Sequence, residues 1–257
     1  MLRVKNEAER AELYITGAIV DDTDGAALAA WELSDGYEWP ADIKAQLDAM
    51  RGKPLTVYIN SDGGSVPAGV AIANMIARHD APTKAVVDGW CCSIATQIFF
   101  AANEREMPEN AYLMIHKPWT AVRGDADELL KAAEFLDTLQ RGIETTYNKA
   151  AREGVTAEQI HEMVEAETWL TGKDAANMFN ISLTQAAPVL NCYDGAFWRA
   201  SNRPDGLNVI TEKTASPETE MPIFNADVDA DAEAAAKEKQ AARIKAALAL
   251  AKGVIAV

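Results

Sequence analysis

The sequence predicts an α/β protein organised around a mostly parallel sheet. Short β-branched runs alternate with helical patterns between residues 13 and 180, and Gly, Pro or capping residues mark most changes of period. Residues 13–19 (LYITGAI) read as a strand. After Trp39-Pro40, Ile43, Leu47 and Met50 recur at helical spacing over residues 41–50, and Pro54 closes the turn. Residues 55–60 (LTVYIN) are a second strand, Ser61 to Ser65 a Gly-rich turn, and Pro67 stands where a helix tolerates proline, opening one to His79. A strand over 83–88, a helix over 92–102 and a strand over 111–116 follow.

Residues 125–151 contain no Pro and one Gly, with Leu129, Leu130, Ala133, Leu136, Leu139, Ile143 and Tyr147 recurring on a helical period. They read as one long amphipathic helix. Thr156 with Gln159 and Thr171 with Asp174 are capping pairs for two shorter helices. Residues 183–224 mix Pro, Asn and Ser and support no assignment. Residues 226–252 are Ala-rich, acidic at the front and basic at the rear, which complements a helix dipole but also suits a solvated tail. The expected division is a folded domain over 1–185, an irregular linker over 186–225 and an Ala-rich helical tail over 226–257.

Composition narrows the function. The 257 residues are 49% hydrophobic and 25% charged, enough for a real core, and 24 Lys and Arg against 39 Asp and Glu leave a net charge of -15. That balance repels phosphate backbones and anionic lipid, so neither nucleic acid nor a membrane is an expected partner. Cys91, Cys92 and Cys192 cannot build a disulfide framework and suit a reducing compartment. The charged start lacks the apolar core of a secretory signal, and the most apolar stretch, 85–102, is interrupted by Asp88, Gly89, Ser93, Thr96 and Gln97. A soluble cytoplasmic protein is the expectation. No cofactor is expected, and three scattered His with three Cys show no metal-ligand spacing.

Only three His can serve as a general base. His79 ends a helix and His161 lies among polar residues, both ordinary structural positions, whereas His116 closes an apolar strand before Pro118, at a sheet edge where open α/β sheets gather their sites. Ser93, after a strand and at the start of an apolar helix, is the matching nucleophile candidate, although taken alone a serine there is more often a helix cap. Gly63-Gly64 sits between strand and helix, where backbone N–H groups can face a cleft as an oxyanion hole requires; the same turn could cradle a phosphate, but no Walker lysine or third dinucleotide Gly follows.

These segments carry a resemblance. YINSDGGSVPAG (58–69), VDGWCCSIAT (87–96), MIHKPW (114–119), the long helix and AETWLTGKDA (166–175) resemble, in order and spacing, the Clp protease proteolytic subunit family, and within it the phage Clp-like head maturation (prohead) proteases. The resemblance implies a Clp/crotonase-like fold of stacked βαβ units with a protruding helix. It implies Ser93 as nucleophile, His116 as general base, Glu167 as the acid of the triad, and Gly64 and Ile94 as backbone oxyanion donors. It further implies a homo-oligomeric ring built through the helix over 125–151, polypeptide substrates from capsid or scaffold segments, and location in the host cytoplasm or procapsid. Asp62 replaces a family Pro, Cys91-Cys92 replace a small Ala pair, and Met178-Phe179-Asn180 departs from the family ending. Three other readings stay open: a cytosolic proteolytic subunit served by a separate ATP-driven unfoldase, a catalytically dead scaffold protein, and a crotonase-like acyl-CoA enzyme.

Overall fold

The computed structural model describes residues 4–6 and 10–185. The expected linker and tail, and Cys192, lie outside the described residues. Along the chain the elements are β1 (Val4–Asn6), β2 (Ala11–Ile19), α1 (Asp22–Ala30), β3 (Tyr37–Glu38), α2 (Pro40–Ala49), β4 (Leu55–Gly64), α3 (Val66–Ala77), β5 (Thr83–Cys92) and α4 (Ala95–Ala101). Then follow β6 (Glu104–Pro108), β7 (Tyr112–Ile115), α5 (Ala126–Ala150), α6 (Ala157–Glu165), β8 (Thr168–Thr171), α7 (Gly172–Met178) and β9 (Ser182–Thr184).

One sheet of order β1-β2-β4-β5-β6-β9 runs through the molecule. From β2 to β9 its neighbours are parallel, as the βαβ alternation requires, and β1 joins antiparallel at the edge. β5 forks. Its first half pairs with β6 through Lys84, Ala85 and Val86, while its last three residues pair with β7, which pairs antiparallel with β8.

Alternation along the strands sends Leu13, Ile15, Val57, Ile59, Ala85 and Val87 into the core. They meet Ile43 and Leu47 of α2, Ile72 and Ile76 of α3 and Ile98 and Phe99 of α4 in one apolar cluster. The alternate positions are half-buried, and there Tyr14 stacks on Tyr58 at 5.0 Å while Lys84 pairs with Glu106 at 3.3 Å.

Two sequence expectations are corrected. Ser61 to Gly64 is strand rather than turn: past a bulge, Gly63 and Gly64 pair with Ala18 and Ile19 of β2. Gly64, at φ +147°, passes so close to Ile19 that a Cβ would stand 2.0 Å from its carbonyl oxygen, so only glycine fits. β5 likewise continues through Cys92, and the following helix starts only at Ala95. The segments of α1, β3, β6 and β8 carry no assignment from the sequence; α1 is capped by Asp21, and Gly25 within it leaves room for the Trp39 ring.

The long helix forms as expected, with Asp125 and Glu128 closing a capping box and Ala151 as C-cap. At 25 residues it is about 38 Å long. Its buried residues, Gln140, Ile143, Tyr147 and Ala150, all lie in its second half. Tyr147 is anchored there by Phe100 of α4 and by Phe179, with ring centroids 5.9 and 6.2 Å away, and Phe100 and Phe179 are 5.0 Å apart. Phe179 has no exposed surface. Phe179→Ala should therefore destabilise the fold by about 3–5 kcal/mol, read as a lower denaturation midpoint, and a loss under about 1 kcal/mol would contradict the anchoring role.

Candidate active site

Strand register brings the three chemical side chains together. Cys92 of β5 pairs with Met114 of β7, and the Ser93 N–H continues the ladder by donating to the Met114 carbonyl at 2.9 Å. On the other side of β7, Met114 pairs with Trp169 and Ile115 with Thr168. One further rung in that antiparallel register sets His116 opposite Glu167. Residues 93, 116 and 167, far apart in sequence, thus meet at the ends of three adjacent strands.

His116 Nε2 lies 2.8 Å from Ser93 Oγ, a hydrogen-bond distance. On the other side of the ring, Nδ1 lies 3.9 Å from Glu167 Oε2, an ion-pair separation longer than a hydrogen bond. Both side chains are largely enclosed, at 14% and 13% exposed. Burial lowers the His116 pKa below its ordinary 6.5, and the Glu167 charge opposes that shift without cancelling it. The imidazole is accordingly held neutral, the form that can accept a proton.

Ser93 and Glu167 both adopt left-handed backbone conformations, at φ +55° and +51°. For non-glycine residues such conformations cost about 1–3 kcal/mol and persist where surroundings dictate them. At Ser93 the surroundings are explicit. Thr96 Oγ1 donates to the Ser93 carbonyl at 2.5 Å, and the Tyr147 hydroxyl donates in turn to Thr96 Oγ1 at 2.6 Å, so α5 braces the turn through a buried chain of hydroxyls.

Gly63, the first of the Gly63-Gly64 pair that the sequence singles out, presses directly on this turn. A Cβ on it would stand 2.7 Å from the Ser93 Cβ and 3.1 Å from the Ile94 nitrogen. Gly64, next to Gly63, is the exposed residue at the end of β4, and Ile94 is buried directly after Ser93.

His79 and His161 lie elsewhere, His79 against the Lys53 carbonyl at 2.9 Å and His161 against Glu144 at 2.9 Å. Cys91 and Cys92 are fully buried, and desolvation pushes both thiols up, Cys92 further under the charge of nearby Asp62. Neither is a nucleophile in that state. Among the described residues no three His, Cys, Asp or Glu side chains group to hold a metal ion, and no helix is long and apolar enough to cross a membrane.

Known proteins share this frame. The chain is 32% identical over 154 residues to the ATP-dependent Clp protease proteolytic subunit 1 of Chlamydia abortus, covering 54% of this chain and 79% of that protein. It is 28% identical over 166 residues to the ATP-dependent Clp protease proteolytic subunit of Streptococcus gordonii, covering 63% and 78%. The structure of a point mutant of ClpP1 from Listeria monocytogenes superposes with a TM-score of 0.53 at 26% identity, over 68% of this chain and 91% of that one. The sequence profile of the Clp protease family matches residues 41–178, more than half the chain and the stretch that holds Ser93, His116 and Glu167, and the chain accordingly belongs to the Clp protease family of serine-type peptidases.

Proposed function

We propose that this chain is a Clp-type serine endopeptidase whose nucleophile is Ser93, with His116 as general base and Glu167 as the acid that orients it. The observation that carries the reading is the 2.8 Å separation of Ser93 Oγ and His116 Nε2 in a site where the imidazole is neutral. Ser93 Oγ attacks the scissile carbonyl carbon as its proton passes to His116 Nε2. The Gly64 and Ile94 N–H groups receive the oxyanion, and Glu167 stabilises the imidazolium across 3.9 Å. His116 then protonates the leaving amine, and water, activated by the same imidazole, releases the acyl group. An acyl-CoA enzyme on a related fold would need the backbone donors but not the Ser–His pair.

The domain over 1–185 carries this chemistry on polypeptide substrates. The relatives, by name ATP-dependent proteolytic subunits, support the role of a cytosolic subunit fed by an unfoldase on another chain. Capsid maturation is the narrower alternative; it rests on the Glu167-Thr168-Trp169 signature and the Ala-rich sequence over 226–252. Assembly into a homo-oligomeric ring would use α5, whose first half has no fully buried side chain among the described residues yet exposes Leu129, Leu130 and Phe135 at 45%, 64% and 58%.

A fluorophosphonate probe tests the nucleophile. One adduct is expected by intact mass on the wild type and none on Ser93→Ala, which should keep the wild-type melting temperature; an adduct that survives the substitution would overturn the assignment.

The rate of labelling should rise with pH as His116 loses its proton, with a midpoint below 6.5 because burial favours the neutral ring. Glu167→Gln removes the charge that raises that pKa, so its midpoint should move lower still while the plateau falls by about 10²-fold. An upward shift would contradict the electrostatic pairing.

Leu130→Glu combined with Phe135→Glu should convert the assembled protein to smaller species in sedimentation velocity, and an unchanged distribution would exclude this half of α5 from the interface.

A further inference from the structure

His116 and Glu167 sit on separate segments, the loop after β7 and the turn between α6 and β8, and at 3.9 Å no hydrogen bond ties them. A second link joins the same segments through close neighbours. Lys117 Nζ pairs with Glu165 Oε2 at 2.8 Å. The other oxygen, Glu165 Oε1, accepts from Gln140 Nε2 at 2.9 Å, and Gln140 is 8% exposed on α5. The same Gln140 nitrogen lies 2.8 Å from Glu144 Oε1, which also meets His161 Nδ1 at 2.9 Å. Glu165 is therefore gripped on both oxygens, and these bonds hold its carboxylate below the usual range, Lys117 most strongly. The grip extends from the anchored half of the long helix to the residue next to His116.

We infer that Lys117 and Glu165 are positioning residues, a clamp that fixes the separation of the His116 and Glu167 segments and so aligns the imidazole on Ser93. This rests on the proposed serine mechanism. An ordinary exposed ion pair contributes little. This one differs in its placement, one residue from the base and two from the acid, with a buried amide fixing its anion. Displacing a catalytic group by about 1 Å can cost about 10²-fold in rate, so a small slackening is readable.

The test uses the full chain and the fluorophosphonate probe, with labelling rates taken on the pH plateau, where a shifted His116 titration no longer matters. Lys117→Met and Glu165→Gln should each slow labelling by about tenfold to a hundredfold at unchanged melting temperature. Lys117→Arg should retain most of the rate. The Lys117→Met/Glu165→Gln double variant should be no slower than the slower single variant, because both changes release the same clamp. Single variants at the wild-type plateau rate would overturn the clamp while leaving the serine mechanism intact. So would fully additive losses, or acid limbs that shift in opposite directions over unchanged plateaus, the mark of simple charge effects on His116. Absence of Ser93 labelling in the wild type would overturn the serine reading and the clamp with it.

Discussion

The register of three short strand ends is the constraint on which the site depends. β7 is only four residues long, yet it holds β5 in parallel pairing on one edge and β8 antiparallel on the other. Because side chains alternate with a period of two, a slip of one residue in β8 would turn Glu167 away from His116 and expose Leu170, which belongs to the core. Correct pairing is thus enforced by burial, and the geometry of the site follows from core packing. The fork of β5 serves the same end: β6 takes its first half, leaving its last three residues free to pair with β7.

Strain is concentrated where this ladder ends. Among the described residues, two of the three non-glycine positions with positive φ are Ser93 and Glu167. Each lies where a strand reverses into or out of a helix. At Ser93 the neighbours include Thr96 and, through it, Tyr147, itself wedged among aromatic rings. The buried half of α5 therefore works as a brace for the Ser93 turn as well as part of the core.

Much of this is legible in the sequence. The apolar strands β2, β4, β5 and β7, the helices between them and the 125–151 helix declare themselves by their sequence patterns, and Ser93 and His116 by standing at strand ends. What escapes sequence reading has physical causes. β6 (EREMP) is short and charged, and its strand character comes from pairing with β5 and β9 rather than from propensity. β8 has four residues, too few to show alternation. Asp62-Gly63-Gly64 reads as turn chemistry, but a bulge after Thr16 of β2 lets the strand run on through it. Glu167 can be placed only through the family resemblance, since nothing local marks a carboxylate that acts across a ladder formed with residues about fifty positions away. The Lys117–Glu165 link is invisible for the same reason.

The unequal division of α5 has an evolutionary consequence. Among the described residues no side chain over 126–139 is fully buried, and Leu129, Leu130 and Phe135 are exposed, so substitutions at those three leave the stability of a single subunit nearly untouched. Selection acting on folding alone would let that stretch drift. Those three apolar residues would be kept only by whatever surface covers them, which makes this half of the helix free to co-evolve with a partner while the half behind it stays fixed by the core and by its brace on the Ser93 turn.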